Sequence, residues 1–446
     1  MKPASVAGHV LELLMLADRR STPVDRIVSE FFRERHYLGP RDRRGISDTL
    51  FGFIRHRRYL ETLLEGFLAA HESYDPIDEA PRRYVPLLVI YSVVFPGLFG
   101  GCPPADTGVN PLWTPYFPAL DPGPLVGWTR DHAALDFLEE DRVVTLGVRY
   151  SFQDWMVAGW IERWPDDAEA LLGALNRPGD ITLRVNRLKT DRESCLERLA
   201  GEGIGARRTD YPDAAVIVLK RFNQNASASF REGLFEIQDA GSQLVSLVCA
   251  PRPGQLVIDG CAGAGGKTLH LADLMENRGN IIAIDTDPGR LRELHRRAER
   301  AGVGIVEASL RKEFREKEYA GKADIVLVDA PCSGSGTIRR NPSLKWSVSE
   351  EDIRRYAARQ AGLLDGYAPL VRRGGRLVYS TCSLFREENE EVALRFLDEH
   401  EEFRSAAAAP ASLLWADAAG EMQSLMLLPH RHHTDGFFIA AFERTA

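Results

Sequence analysis

Two cysteines, each in a short loop after an apolar run, carry the most reactive chemistry in this chain. Cys332 follows the run Ile325–Asp329 in Asp329-Ala330-Pro331-Cys332-Ser333-Gly334, and Cys382 follows Arg376–Ser380 in Ser380-Thr381-Cys382-Ser383. Both runs read as strands of an open α/β sheet, whose ligands bind at the carboxyl edge. The two thiols are therefore expected to face one crevice. A single cysteine there is usually a small buried hydrophobe, whereas two beside an acid, Asp329, point to covalent chemistry. The thiolate is the reactive form, and with a free pKa of about 8.5 it needs a positive field to populate it at neutral pH. Spacing alone does not order the two cysteines.

The run from Leu256 to Thr268 is a strand, a glycine-rich turn and a helix start, which aims backbone N–H groups and a helix dipole at a ligand. Its turn residues Cys261, Ala262, Gly263, Ala264, Gly265, Gly266 and Lys267 are candidate cofactor contacts. A phosphate-binding P-loop requires glycine five residues before Gly266, where Cys261 stands, so an ATP-hydrolysing reading is weakened. A dinucleotide fingerprint from Gly263 requires glycine at Thr268, which weakens that reading too. Asp285 ends the next apolar run about 20 residues beyond the glycines, where a carboxylate accepts both hydroxyls of a ribose. The rival role for Asp285 is a helix cap ahead of Pro288.

These elements sit late in a chain of 446 residues, long enough for about three domains. A hydrophobic content of 44% and a charged content of 27% describe a globular protein, and a net charge of -8 excludes a binder that works by overall basicity. Residues 1–150 carry apolar side chains at helical spacing, with Gly39-Pro40 opening one helix. Eight prolines between Pro96 and Pro124 predict a long loop, and 97–135 is expected to be an insertion. Residues 151–250 switch to strand periodicity at Ile181–Val185, Ala215–Leu219 and Leu234–Ile237, a small α+β domain. Residues 251–446 alternate strands and helices, a doubly wound parallel sheet. One helix there opens on a capping box, Ser349 to Asp352, and is expected to stop at Gly374-Gly375. Near the end, 405–420 reads as an alanine-rich tether, and Leu425–Leu428 is expected to pair antiparallel with Phe437–Phe442.

The six cysteines, Cys102, Cys195, Cys249, Cys261, Cys332 and Cys382, show no metal or disulfide spacing and predict free thiols in a reducing cytoplasm. Tyr84–Phe99 is apolar, but Pro86 and Pro96 leave too little to span a bilayer, so a buried helix is expected and no membrane association. His430, His432 and His433 lack partners at ligand spacing, and no metal is assigned. Residues 32–58 hold eight arginines against three acids, a phosphate-contacting surface or a set of solvated helix faces.

Together the motifs resemble the RsmB/Sun-type RNA cytosine-5 methyltransferases, close to the Nop2/NSUN group. The resemblance is carried by Gly39 to Arg44 and Phe53 to Leu60, similar to that family's NusB-like helical domain, and by Arg184 to Lys189 and Gly233 to Asp239, similar to its small RNA-binding domain. In the catalytic part it is carried by the Pro331-Cys332 and Thr381-Cys382 loops, Arg339 to Trp346, and Asp435 to Phe438. It implies a Rossmann-like fold, S-adenosylmethionine as cofactor, and a cytosine of small-subunit ribosomal RNA as acceptor. It also implies Cys382 as nucleophile, Cys332 as the release residue, and Asp329 beside both donor and base. Two positions depart from the pattern: Gly263-Ala264 replaces Ala-Pro in the turn, which removes rigidity, and Ser309 stands where an aspartate contacts adenine. A monomeric cytoplasmic enzyme is expected. A non-catalytic RNA-binding assembly factor with a degenerate cofactor pocket, or a tRNA methyltransferase, are the alternatives.

Overall fold

The computed structural model describes residues 3–19, 22–71, 82–96, 113–135, 141–209, 215–407, 417–419 and 423–445; Cys102 and residues 97–112 lie outside these. The chain separates into two compact units, Met1–Asn176 with Asn341–Ser347, and Arg177–Arg340 with Val348–Ala446. The limit drawn at 150 falls inside the first unit, and the one at 250 inside the second.

The first unit is helical. Val10, Leu14, Ile27, Phe31, Ile46, Leu50 and Phe53, set at helical spacing, are buried in one cluster. The helix Tyr84–Val94 is buried along most of its length, and Pro86 sits in its first turn, where no N–H is required. The proline-rich stretch is not all loop. A helix spans Gly123–His132, and its Leu125, with Trp113 and Phe117, belongs to the same core. Pro122 and Pro124 stand at the N-cap and in the first turn, so proline density there marks a helix start. The helices Asp154–Arg163 and Ala168–Leu175, assigned from sequence to the second domain, belong to this unit.

Seven residues from the catalytic half of the sequence, Asn341–Ser347, also belong here. Lys345 is fully buried, and its ammonium donates to the carbonyls of Arg55 (2.9 Å), Tyr150 (3.0 Å) and Ser151 (3.0 Å) and to Asn176 Oδ1 (2.5 Å). Its Nζ lies 3.7 Å from the Phe152 ring centroid, and the Trp346 indole donates to the Ile54 carbonyl. Burial, reinforced by Arg55, pulls the amine well below its ordinary pKa, and the acceptors offset that cost. Lys345→Met, which keeps the stem and strands the acceptors, is expected to cost roughly 3 kcal/mol, measured by urea denaturation.

The second unit holds two sheets. The smaller has the order β2-β3-β1-β4, formed by β1 (Ile181–Val185), β2 (Ala206–Arg208), β3 (Ala215–Val218) and β4 (Phe235–Ile237), all pairs antiparallel. Leu183, Val185, Leu199, Val216 and Phe235 form its core, with Cys195 as a small apolar filler whose thiol burial pushes up to about 11. Gly233 packs so closely on the Arg300 carbonyl that an added Cβ would approach it to 2.0 Å. Lys189 donates to that carbonyl, and Asn186 donates to the Ala301 carbonyl. Buried Glu236 takes ion pairs from Arg297 and Arg300, so the small sheet is riveted to the helix Pro288–Ala301.

The larger sheet contains β5 (Leu256–Asp259), β6 (Asn280–Asp285), β7 (Val306–Leu310), β8 (Ala323–Asp329), β9 (Val371–Thr381), β10 (Phe403–Ala406), β11 (Asp417–Ala419), β12 (Ser424–Leu427) and β13 (Phe437–Arg444). Its order is β11-β12-β13-β9-β8-β5-β6-β7, with β10 on β13. The five strands from β7 to β9 are parallel, as expected of a Rossmann-like doubly wound fold, and the others add an antiparallel flank. The anticipated pairing is present, with Leu425 opposite Ile439 and Leu427 opposite Phe437. The expected tether is partly strand, since 405–406 belong to β10 and 417–419 to β11; residues 408–416 lie outside the described set. The helix Glu350–Tyr367 carries the anticipated capping box but ends at Tyr367, well before Gly374-Gly375, because Pro369 has no N–H to continue the i to i−4 bonding and the chain passes into the tighter turn Ala368–Leu370. The two glycines lie inside β9. Among the described residues no helix is long and apolar enough to cross a membrane.

Candidate active site

The carboxyl ends of β5, β6 and β8 open onto a cavity of about 780 Å³. Cys261, Ala262, Gly263, Ala264, Gly266, Lys267, Asp285, Asp329, Cys332 and Cys382 all line it, so most of the residues singled out from sequence converge. Gly265 and Ser309 do not line it.

Backbone geometry builds the first wall. Gly260 accepts the Tyr367 hydroxyl at 2.7 Å on its carbonyl, and a Cβ there would strike the tyrosine ring. Gly263 and Gly265 take left-handed φ values of 56° and 84°, open to glycine without strain. Gly265 also has no room for a side chain, since a Cβ would come within 2.7 Å of Leu294; its role is to let the turn form. The Gly263-Ala264 departure does not leave this turn loose. Asp285 Oδ2 accepts the Gly263 amide (2.9 Å), Ala262 N donates to the Ile284 carbonyl (2.9 Å), and Arg297 donates to the Ala264 carbonyl (2.8 Å). Asp285 accepts the Asp287 amide through its other oxygen, and Asp287 caps the helix Pro288–Ala301. The helix cap weighed as the rival role for Asp285 is made by Asp287.

Ser309 lies within β7, opposite Ile284, with its hydroxyl turned to the Leu310 carbonyl. Arg311, just past the strand end, forms the wall at that point and lies over the Tyr367 ring, 4.9 Å from its centroid. Sequence reasoning missed Arg311, Asp287, Tyr356 and Arg359 as lining residues. For Arg311 the signal was its position immediately after a strand of the parallel sheet.

The reactive wall is set by strand register. Asp329 on β8 pairs with Ser380 on β9, so Cys332 and Cys382 emerge three and two residues past one rung. Their sulfurs lie 3.3 Å apart, and the Gly336 amide donates to the Cys382 carbonyl at 2.8 Å. The bond to Cys382, then burial, then the charges of Cys382 and Glu388, push the Cys332 thiol well above its ordinary pKa. Either sulfur can donate the hydrogen bond that joins the pair. Asp329 accepts Lys267 Nζ at 2.7 Å and the Ser380 hydroxyl at 2.8 Å. Burial works against the Lys267 charge, but Asp329 outweighs it and the pKa is raised. This ammonium shares the cavity with both thiols.

Burial pushes the Cys261 thiol far up. Of the arginines in 32–58, Arg35, Arg57 and Arg58 pair with Glu12, Glu61 and Asp154. His432 accepts the Leu428 amide at 2.8 Å.

Residues 246–443 match the model of the 16S rRNA methyltransferase RsmB/F family, and 152–224 match the ferredoxin-like domain of RsmF/B-like methyltransferases. A probable ribosomal RNA small subunit methyltransferase B from Synechocystis is 32% identical over 98% of this chain and 100% of its own length. The chain belongs to the RsmB/F family. Among solved structures, PH0851 covers 100% of this chain and 99% of its own at a TM-score of 0.78 and 26% identity. A methyltransferase homolog from Pyrococcus horikoshii covers 69% of this chain and 100% of its own, at 0.60 and 30%. As an RsmB/F member the protein is an RNA methyltransferase, and the small sheet corresponds to the family's ferredoxin-like domain.

The cavity fits the donor that this family membership implies. Asp259, 1% exposed, uses Oδ2 to accept the Thr268 hydroxyl, and its Oδ1 has no hydrogen-bond partner among the described residues. Burial raises this carboxyl from 3.8 to about 7. A folded-state pKa above the unfolded one favours folding fully below about pH 4, and that contribution is lost as pH rises towards 7. Asp259→Asn is therefore expected to stabilise the ligand-free protein on the order of 3 kcal/mol at pH 8 and little at pH 4, checked by denaturation at both values.

Proposed function

We propose that the protein methylates carbon 5 of a cytosine in small-subunit ribosomal RNA, through a covalent bond between Cys382 and carbon 6. The observation that carries this reading is the 3.3 Å approach of two thiols at the rim of a glycine-turn cavity, beside a Lys267–Asp329 ion pair. One sulfur has a task in making the adduct and the other in breaking it.

The glycine turn, Asp285 and Asp259 would hold S-adenosylmethionine, which supplies an electrophilic methyl group when bound. Cys382 is the nucleophile in this scheme, as the family resemblance implies, and the Lys267 ammonium, paired with Asp329, supplies the positive group beside the thiols. Addition of Cys382 to carbon 6 makes carbon 5 nucleophilic. Asp329, fixed by Lys267 and Ser380, is placed to accept a hydrogen bond from the cytosine edge. After methylation the carbon 5 proton leaves to a base, and the pair of electrons that returns expels Cys382; Cys332 assists this release. Ser309 is not part of the donor site in this reading, and Arg311 takes its place in the wall. The three-domain division, the monomeric state and the cytoplasmic location belong to the same proposal.

The wild-type protein is expected to bind S-adenosylmethionine in calorimetric titration; absence of heat at millimolar donor would favour a non-catalytic assembly factor. With RNA and donor, Cys332→Ala is expected to accumulate a protein–RNA adduct that survives denaturing gels, and Cys382→Ala to form none. The reverse pattern would exchange the two roles, and adducts in neither would end the covalent scheme.

A further inference from the structure

Glu388 is buried completely, carries an ionisable group, and has no task in the reaction just described. It stands at the end of the short turn Arg386–Glu388, six residues after Cys382. Its Oε1 accepts the Ser333 amide at 2.9 Å and the Gln360 side-chain amide at 3.0 Å, and its Oε2 accepts the Ser383 hydroxyl. Ser333 and Ser383 are the residues immediately after Cys332 and Cys382. Gln360, on the helix Glu350–Tyr367, also donates to the Pro331 carbonyl at 3.0 Å, just before Cys332. The serine hydroxyls of 333, 335 and 383 bond one another, and Ser335 accepts the Leu384 amide.

We propose that Glu388 is a positioning residue that clamps the two cysteine loops and the helix Glu350–Tyr367 to one buried point, holding the sulfurs at reaction distance. The proposal rests on the covalent two-cysteine reading. Neither loop is a strand at that point, so register alone stops short of the sulfurs, and the carboxylate supplies the remaining constraint. Burying a carboxylate is costly unless it is fully hydrogen-bonded, and here three donors converge on it.

Two measurements on Glu388→Ala and Glu388→Gln test this. The first needs no RNA: diamide takes two electrons and two protons from a close thiol pair, so the rate of Cys332–Cys382 disulfide formation, followed by peptide mapping, reports their approach. Glu388→Ala is expected to slow bridging about tenfold and lower kcat about 100-fold, the cost of a misplacement near 1 Å, with KM and donor affinity within about threefold of wild type. Glu388→Gln keeps an oxygen for Ser333 and Gln360 and is expected to restore bridging to within about threefold. Should Glu388→Ala not fold, Ser383→Ala removes one anchor and is expected to slow bridging about threefold. Wild-type bridging and kcat in Glu388→Ala, wild-type bridging in Ser383→Ala, or an equal loss of kcat and donor affinity in both Glu388 variants would overturn the assignment. Failure of both Cys332→Ala and Cys382→Ala to accumulate an RNA adduct overturns the parent reading instead and leaves the bridging result standing.

Discussion

The parallel pairing of β8 with β9 is the constraint on which the chemistry depends. Because Asp329 and Ser380 share a rung, one hydrogen bond joins the carboxylate to the neighbouring strand, and both cysteine loops leave the sheet side by side. A one-residue slip would turn every side chain of β9 to the opposite face and part the two sulfurs. Buried apolar residues protect that register. Val326, Leu327 and Val328 on β8 and Leu377, Val378 and Tyr379 on β9 are fully buried, and β13 covers the far side of β9 with Phe438 opposite Thr381.

The antiparallel flank contributes more than edge protection. It brings Phe437 to 5.4 Å from Lys267 Nζ, an aromatic face against a buried cation. It also sets Gly436 against Gly336, where a Cβ on Gly336 would approach the Gly436 carbonyl oxygen to 2.2 Å. Only glycine at both positions lets the loop beyond Cys332 lie against the turn that enters β13. The Asp435 to Phe438 motif is thus a packing requirement of the reactive loop, although it lies a hundred residues away in the chain.

Much of this was legible in the sequence, for identifiable reasons. Strand ends, the glycine turn and the Ser349 capping box are local signals, and the two cysteines announced themselves by following strands of one sheet. Helix termination was misjudged because Gly374-Gly375 is the louder signal while Pro369 is the one that acts. Lys345 read as part of a catalytic-domain motif, yet its acceptors come from residues 55, 150, 151 and 176, a long-range set that periodicity does not encode. Nothing local in the sequence marks Gln360 or Glu388 as buried. The Gln360 amide donates to the Glu388 carboxylate in the interior, a pairing that only the folded loops bring about. Ser309, singled out by resemblance, lies one residue inside the end of β7 and does not line the cavity.

The guanidinium of Arg297 has a mechanical consequence. On one side it is gripped by Glu236 of the small sheet, and on the other it grips the Ala264 carbonyl of the glycine turn. The ferredoxin-like module is therefore not a detachable handle. Cutting it away would strip the glycine turn of a strut, and a force on its outer strands would be felt, through the Arg297 side chain, at one wall of the cavity.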